Sequence, residues 1–250
     1  MNMPTCFFTR KKVESEFIVS KNCWHIDIIS YFYENEKQFK DSWRINMPKF
    51  LPPVLETERL ILRPLSIDDL QTVFKWTGDP RVNKYMIYPL FKSPEDGREW
   101  LESLYEDEKK LDYGFVLKST GELIGSGGLY YHEDIDVWSI GYNIAYDHWH
   151  NGYTPEAISR IIEYAKSKYD LHVIAGTFAV DNNGSRRVME KLGMSFYEDT
   201  EYTKLDGNET FNAKTYHKVF GKPVSPGSLK DKTKDWISKD YQDEMLGREI

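Results

Sequence analysis

The stretch of sequence that decides the fold is Trp149-His150-Asn151-Gly152-Tyr153-Thr154-Pro155-Glu156-Ala157. It lies between a strand predicted over Val137–Tyr146 and a helix predicted to begin near Pro155. Gly152 falls in the turn between them, where a ligand can approach closely because there is no Cβ in the way. The amides of Asn151, Gly152 and Tyr153 would face that ligand, with the positive end of the helix behind them. The pattern fits a phosphate or pyrophosphate site, although a single glycine before a helix is also typical of a simple turn.

Strands and helices alternate on both sides of this turn. The sequence predicts strands over 59–63, 113–118, 123–131, 137–146, 172–180 and 211–220. Helices are predicted to begin at Ser66, at Ser93-Pro94, near Pro155 and at Ser185, because serine caps helices and proline suits the first helical position. The order β-α-α-β-β-β-α-β-α-β indicates an α/β or α+β fold in which helices pack on one sheet.

Three regions differ in composition. We expect residues 51–220 to form one domain, because three prolines (Pro48, Pro52 and Pro53) mark a boundary before Leu55 and the linker-like segment 221–227 follows the domain. Residues 1–50 are an N-terminal extension rich in aromatic residues, with no role that the sequence explains. Residues 221–250 are a charged C-terminal tail.

Composition excludes several classes of protein. Of the 250 residues 40% are hydrophobic, which is enough to bury a core. The longest charge-free apolar stretch, Val137–Tyr146, is about half the length of a membrane-spanning helix, and no signal peptide is recognisable. The two cysteines, Cys6 and Cys23, cannot build a disulfide scaffold or a cysteine-based zinc site. We therefore expect a soluble cytoplasmic protein with no membrane partner.

The middle region is acidic. Residues 51–220 contain 19 lysines and arginines against 28 aspartates and glutamates. Such a surface repels a phosphate backbone, which argues against a nucleic-acid partner, and it would attract a cation such as an amine. Most of this charge is equally typical of a solvated surface that promotes solubility.

Three stretches together resemble the GNAT superfamily of N-acetyltransferases, in particular the branch that includes the ribosomal-protein alanine acetyltransferases. Residues 149–157 resemble its acyl-CoA pyrophosphate loop, Leu55–Asp69 its opening strand and first helix, and Asn182–Gly193 its Asn-x-x-Ser…Lys-Leu-Gly segment. The resemblance covers roughly residues 54–220. It implies a mixed, mostly antiparallel central sheet with splayed parallel strands and helices on both faces.

The resemblance also implies roles for individual residues toward acetyl-CoA. Amides of residues 151–154 would bind the pyrophosphate. The backbone of residues 143–145 would pair with the pantetheine arm, and an amide there would stabilise the oxyanion. Asn182 and Ser185 would hold the arm from the other side. The cofactor-binding candidates are Asn143, Ile144, Ala145, Trp149, His150, Asn151, Gly152, Tyr153, Thr154, Asn182 and Ser185.

The chain departs from the family pattern in its acid–base residues. Ser139 stands where many members have a glutamate base, and Met189 where many have a tyrosine acid. The remaining catalytic candidates are Asn182 and Ser185; Ser185 would either protonate the leaving thiolate or cap its helix. His148 and His150 would share a face of an extended segment, but with no third ligand nearby we expect no metal site.

The sequence thus predicts an acyl-CoA-dependent N-acetyltransferase that passes the acetyl group directly to an amine. The acceptor would be a protein N-terminus, a polyamine or an aminoglycoside-like small molecule, bound beside loop 84–98. The alternative is a non-catalytic module on the same fold that binds CoA or another protein. A homodimer held by the flanking segments is also compatible with the sequence.

Overall fold

The computed structural model describes residues 51–105 and 108–220, so the predictions for residues 1–50 and 221–250, including the homodimer, lie outside the described residues. The helices and strands are β1 Leu55–Glu56, β2 Leu60–Arg63, α1 Leu70–Thr77, α2 Pro80–Asn83, α3 Arg98–Ser103, β3 Lys110–Leu117, β4 Leu123–His132, β5 Val137–Ile144, α4 Tyr153–Lys168, β6 Val173–Ala179, α5 Asn183–Lys191, β7 Ser195–Thr203 and β8 Thr210–Val219. Short 3₁₀ turns cover Ile67–Asp69, Pro94–Gly97 and Tyr146–His148.

The strands form one sheet in the order β1-β2-β3-β4-β5-β6-β8-β7. Neighbouring strands are antiparallel except for β5 and β6, which are parallel. This arrangement confirms the predicted mixed, mostly antiparallel sheet with a parallel pair. The predicted element order was wrong in one major respect, because it omitted the edge strand β7.

Strand β7 escapes sequence analysis because it is polar. Its residues read Ser-Phe-Tyr-Glu-Asp-Thr-Glu-Tyr-Thr, and only Tyr202 among them is buried. Three carboxylates in one strand are typical of a sheet edge that must not pair with another molecule. No alternation of apolar and polar residues marks such a strand, so periodicity does not reveal it.

The helix starts predicted at Ser66, at Ser93 and near Pro155 are present in the structure, whereas α5 begins at Asn183, two residues before the start predicted at Ser185. The carboxylate of Asp69 accepts a hydrogen bond from the amide of Ser66 (2.9 Å), and that of Asp96 accepts one from the amide of Ser93 (3.1 Å). Each serine side chain in turn caps the amide of its aspartate, completing a capping box. Each box opens a 3₁₀ turn that continues into α1 or α3.

Apolar side chains cover both faces of the sheet. On one face α4 buries Ala157, Ile158 and Ile161 against strand residues such as Trp138 and Ile174. On the other face a second cluster joins α1 and α3 to the sheet through Leu70, Val73, Trp76, Leu101 and Val116. Within the described residues no helix combines the length and apolarity that a membrane span requires.

Candidate active site

The parallel strands β5 and β6 hydrogen-bond over only a short stretch. Trp138 lies opposite Ile174 and Ser139 opposite Ala175; beyond these pairs both strands continue without further pairing. The gap between them opens into a cleft of about 750 Å³. Because each splayed strand has main-chain groups directed toward the gap, the cleft can accept an extended chain as an additional strand.

One end of the cleft is the turn that precedes α4. Gly152 is the N-cap residue and has φ of +77°, a left-handed conformation that glycine adopts without strain. His150 also has a positive φ, +65°. The amides of Asn151, Gly152, Tyr153 and Thr154 have no hydrogen-bond acceptor among the described residues. Unpaired amides at the positive end of a 16-residue helix are suited to binding an anion.

Side chains near the beginning of the sheet hold this turn in place. Arg59 donates from Nη1 to the carbonyl of Asn151 (3.0 Å) and from Nε to Glu156 (2.7 Å), and its guanidinium lies 4.6 Å from the centre of the Tyr153 ring. Thr57 also donates to Glu156 (2.5 Å). Burial alone raises the pKa of Glu156, but the hydrogen bonds from Thr57 and Arg59 outweigh it and hold that pKa below its ordinary value. Glu156 is therefore charged and bound to Arg59, and it is not directed at an incoming phosphate.

The register of β5 decides which of its main-chain groups face the gap. The amide of Ala145 donates to Ile124 on the neighbouring strand β4 (2.8 Å). Because bonded and non-bonded pairs alternate along an antiparallel ladder, Asn143 is directed at β4 as well, whereas the amides of Tyr142 and Ile144 face the cleft. The Ile144 carbonyl is occupied, since it accepts a hydrogen bond from the indole of Trp149 (2.9 Å).

The opposite wall of the cleft is the N-terminus of α5. Asn182, not Ser185, caps this helix: its side-chain oxygen accepts the amide of Ser185 (3.1 Å). The hydroxyl of Ser185 is hydrogen-bonded instead to that of Tyr142 on β5 (2.7 Å). Burial raises the pKa of Tyr142, so its hydroxyl is neutral and keeps a proton to donate.

Most of the predicted site residues come together around this cleft. Those that line it are Asn143, Ile144, Trp149, His150, Gly152, Tyr153, Thr154, Asn182 and Ser185. Ala145 and Asn151 do not line it. Ser139 and Met189 do line it, and Ser139 is hydrogen-bonded through Oγ to Nε2 of His132 (2.9 Å).

A family model described as an acetyltransferase (GNAT) domain matches residues 59–195, more than half of the chain. The chain belongs to the GNAT acetyltransferase family. The acetyltransferase is similar to the uncharacterized N-acetyltransferase YoaA of Bacillus subtilis (strain 168), with 31% identity over 148 residues, which are 56% of this chain and 82% of YoaA. Its predicted family and enzyme class are thereby confirmed.

Solved structures agree with this assignment. A GNAT family acetyltransferase from Bacillus anthracis superimposes with a TM-score of 0.58 and 25% identity, covering 67% of this chain and 98% of that one. The ribosomal-protein-S5-alanine acetyltransferase from Vibrio fischeri superimposes with a TM-score of 0.56 and 17% identity, covering 69% of this chain and all (100%) of that one. The second similarity shows a shared fold.

The acetyltransferase cleft also reaches loop 84–98, where the missed strand β7 is important. Tyr85, Met86 and Ile87 line the cleft. The loop is held by β7 and by the turn after it. The hydroxyl of Tyr202 donates to the carbonyl of Tyr85 (2.6 Å), and the amide of Leu205 donates to the carbonyl of Ile87 (2.8 Å). Loop and hairpin therefore form one wall of this part of the cleft.

The same wall is tied to β5 and to the start of the hairpin turn. The hydroxyl of Tyr88 donates to the side chain of Asn143 (2.7 Å). The buried ammonium of Lys204 donates to both the carbonyl and the side-chain oxygen of Asn83, each at 3.1 Å. These contacts fix the loop that is expected to shape the acceptor site. The sequence gives no sign of them because they join residues far apart along the chain.

A buried carboxylate lies behind the cleft. Asp112, on β3, is 2% exposed, and its Oδ2 accepts a hydrogen bond of 2.5 Å from the hydroxyl of Tyr130, which lines the cleft. Its Oδ1 is buried with no hydrogen-bond partner among the described residues. Burial raises the pKa of Asp112 to about 6, in spite of the hydrogen bond from Tyr130. Sequence analysis did not single out either residue.

The described part of the chain contains no group of three or more histidines, cysteines, aspartates or glutamates placed to hold a metal ion. His148 instead lies 3.5 Å from Glu122.

We predict that Gly152→Asp abolishes binding of acetyl-CoA. The new side chain adds a negative charge beside the unpaired amides and forces a left-handed conformation on a residue with a Cβ, at about 1–2 kcal/mol. Isothermal titration calorimetry measures the binding. The matched control is Gly207→Asp, because Gly207 has φ of +73° and open space around its missing Cβ but does not line the cleft. Unchanged affinity in Gly152→Asp would mean that another loop binds the cofactor.

We also predict that Asp112→Asn stabilises the fold in a pH-dependent manner. The folded-state pKa of Asp112 is raised from its ordinary value of 3.8 to about 6, so its ionisation destabilises the native state increasingly as the pH rises through 6. The free energy of unfolding should increase by about 1–3 kcal/mol at pH 8 and change little at pH 4, as measured by urea denaturation. A loss of stability at pH 8 would contradict the burial of an uncompensated charge.

Proposed function

We propose that this acetyltransferase binds acetyl-CoA in the cleft between β5 and β6 and transfers the acetyl group directly to a primary amine. The observation that carries the proposal is the pair of splayed strands that leads to four unpaired amides at residues 151–154. These features fit the two parts of the ligand: the strand edge fits the amide-containing arm, and the helix N-terminus fits the pyrophosphate.

The main chain of β5 would supply the electrostatic part of catalysis. The amides of Tyr142 and Ile144 face the cleft, so one of them can donate to the carbonyl oxygen of the thioester as negative charge develops there. Within the predicted segment 143–145, the amide that faces the cleft is that of Ile144; the amide of Tyr142, just before the segment, faces the cleft as well. The carbonyl of Ile144 cannot compete, because Trp149 already donates to it.

Ser185 and Tyr142 would serve the departing sulfur. The Asn182 cap leaves the hydroxyl of Ser185 available for its hydrogen bond to Tyr142 across the cleft. A proton given by Ser185 to the thiolate can be replaced by that of Tyr142, and Tyr142 regains a proton from solvent as the products leave. Asn182 then acts by fixing the start of α5, which agrees with its predicted place in the site but makes its part in catalysis indirect.

The amine must be neutral when it attacks. With a pKa near 10.4, its neutral form costs about 4–5 kcal/mol at pH 7. Holding amine and thioester in line is worth about 7–11 kcal/mol, so positioning can offset that cost. The absence of the family's usual glutamate and tyrosine at Ser139 and Met189 therefore does not favour the non-catalytic alternative.

The charges of the cleft indicate the class of acceptor. Among the described residues that line it, Asp181 alone carries an exposed carboxylate, whereas Arg81, Arg187 and Lys191 are cations. The acidic character of residues 51–220 thus lies mostly outside the cleft. A polyamine or an aminoglycoside carries several ammonium groups, and all but one of them would lose water without gaining a carboxylate.

The acceptor side is instead apolar and aromatic. It is lined by Val82, Tyr85, Met86, Ile87 and Tyr202. Such a surface suits an amine that carries one positive charge on an uncharged body. Of the predicted acceptors, the N-terminus of a peptide or protein fits best, and the similarity in fold to a ribosomal-protein alanine acetyltransferase supports it.

The proposal is tested by thiol release from acetyl-CoA with three acceptors: an alanine-initiated peptide, spermidine and an aminoglycoside. We expect kcat/KM for the peptide to exceed that for either polycation by about ten-fold or more, a difference of about 1.4 kcal/mol. A preference for spermidine would overturn the assignment of the acceptor class. Binding of acetyl-CoA without thiol release on any amine would favour the non-catalytic alternative.

Two adjacent arginines provide a matched test of the cofactor side. Arg187 is exposed and lines the cleft, whereas Arg186 does not line it and contacts Asn183 and Glu190. We expect Arg187→Ala to raise the KM for acetyl-CoA about five-fold, because a phosphate loses an exposed ionic partner, and Arg186→Ala to leave it unchanged. Equal effects of the two substitutions would place the phosphates elsewhere.

A further inference from the structure

A single guanidinium group lies beside the apolar acceptor side of the cleft. Arg81, on α2, lines the cleft and directly precedes Val82, the first residue of the acceptor side. Its side chain is 56% exposed. The other lysine and arginine side chains that line the cleft in the described part of the chain are Arg187 and Lys191, and both belong to α5 on the opposite wall.

A carboxylate fixes the orientation of this guanidinium. Asp79, the N-cap residue of α2, accepts hydrogen bonds from Nε (3.0 Å), from Nη2 (2.5 Å) and from the amide (2.8 Å) of Arg81. Asp79 is 14% exposed and does not line the cleft, and its bonds to Arg81 hold its pKa below the ordinary value. Nη1 of Arg81 has no hydrogen-bond partner among residues 51–105 and 108–220. The edge formed by Nη1 and Nη2 is therefore left for a ligand.

Aromatic rings connect the same guanidinium to β5. Its Cζ lies 3.7 Å from the centre of the Tyr146 ring. That ring packs on Trp149, with 5.0 Å between centres, and the indole of Trp149 donates to the carbonyl of Ile144. Ile144 also carries an amide that faces the cleft. Arg81 is thus held from two directions, which reduces the freedom that it would lose on binding a ligand.

No other carboxylate that the structure describes occupies the free edge of Arg81. Its ion pair with Asp79 is the one that it forms among these residues. Asp147 attracts it electrostatically, but Asp147 does not line the cleft and makes no ion pair with it. Asp181 does line the cleft and makes no ion pair with it either. An anionic group that enters the cleft therefore meets a guanidinium edge that is ready to bind it.

The position of Arg81 favours the acceptor over the cofactor as the source of that anion. The unpaired amides of residues 151–154 and the side chain of Arg187 are available to the phosphates of acetyl-CoA. Arg81 instead continues directly into the apolar segment that ends at Ile87. A molecule that covers this segment can place an anionic group on Arg81.

We propose that Arg81 binds a carboxylate of the acceptor and so selects peptides in which the reacting N-terminus is followed, beyond an uncharged part, by a negative charge. This rests on the proposed acetyl transfer to a peptide N-terminus in the same cleft. The uncharged part contacts Val82, Tyr85 and Met86, and the carboxylate accepts from the Nη1–Nη2 edge of Arg81. The carboxylate belongs to an acidic side chain or to the C-terminus of a short peptide.

A fixed guanidinium selects for more than charge. A carboxylate accepts two charge-assisted hydrogen bonds from its edge, whereas the amide of glutamine has one oxygen and no charge. The same guanidinium repels a second ammonium group, which agrees with the exclusion of polycations. Because Arg81 is more than half exposed, solvent screens the pair and the selectivity is moderate.

The test uses thiol release from acetyl-CoA with alanine-initiated peptides that are amidated at the C-terminus. Each carries glutamate or glutamine as its second, third or fourth residue and no other charged side chain. At one of these positions we expect glutamate to be preferred by about ten-fold in kcat/KM, mainly through a lower KM for the peptide. The dipeptide Ala-Leu, with a free or an amidated C-terminus, tests the other source. A preference in either set supports the proposal and identifies the source, and no preference in both overturns it.

Substitutions of Arg81 test its part in this preference. Arg81→Gln should abolish or reverse it, because Asp79 is left uncompensated, and Arg81→Lys should reduce it to about three-fold, because the charge remains without the fork. The preference compares two peptides on one variant, so a partly unfolded preparation does not alter it. If Arg81→Gln keeps the preference, the proposal is wrong; a raised KM for acetyl-CoA would then assign the guanidinium to a phosphate.

The matched control is Arg98→Gln. Arg98, at the start of α3, also forms an ion pair with a nearby carboxylate, that of Glu95, and is 43% exposed, but it does not line the cleft. This variant should keep the full preference of wild type for glutamate. Loss of the preference in both arginine variants would attribute it to the overall charge of the protein and would contradict a specific contact with Arg81.

A binding measurement separates this proposal from the proposed function. Calorimetry of the glutamate and glutamine peptides with the full-length protein measures the same preference without turnover. Preferential binding of glutamate, without thiol release from any peptide, would contradict the proposed function and support carboxylate recognition. Thiol release with every peptide at equal kcat/KM would contradict carboxylate recognition and support acetyl transfer.

Discussion

The site depends on the early end of hydrogen bonding between β5 and β6. Pairing stops after Ser139 and Ala175, and the next residue of β6 is Gly176. A Cβ at that position would lie 2.7 Å from Cε of Met189 and 2.8 Å from Cγ1 of Ile140. Side chains from β5 and α5 thus close over β6 where the strands separate, and the gap is maintained by packing. All the proposed chemistry takes place along the edge that this packing leaves unpaired.

Local signals in the sequence were enough to predict the frame of this site. Gly152 indicated the turn, because glycine adopts the left-handed backbone conformation before the helix without strain. The boxes at Ser66 and Ser93 marked helix starts, because their partners lie three residues away. Each of these features depends on residues that lie within about four positions of one another along the chain. The resemblance to the acetyltransferases then implied a mostly antiparallel sheet with splayed parallel strands, which no local signal specifies.

What could not be predicted are contacts between distant residues. Arg59 and Glu156 are 97 positions apart, and Tyr142 and Ser185 are 43 apart. Such pairs depend on strand register, and a shift of one residue would turn each side chain to the other face. The same limit hid β7: an edge strand with three carboxylates has no apolar pattern, yet its Tyr202 holds the acceptor loop.

Register also decides which polar side chains lie together beside Ser139. Tyr130 lies opposite Ser139, so a hydroxyl on β4 and a side chain at position 139 of β5 serve the same part of the cleft. Asp112 lies on the same face, one strand further away, and is shielded from water by the sheet. A carboxylate placed there reaches the cleft only through Tyr130, whose ring requires glycine at position 141. The buried carboxylate of Asp112, the ring of Tyr130 and the glycine at 141 therefore form one connected arrangement, which strand register decides and which no local signal in the sequence specifies.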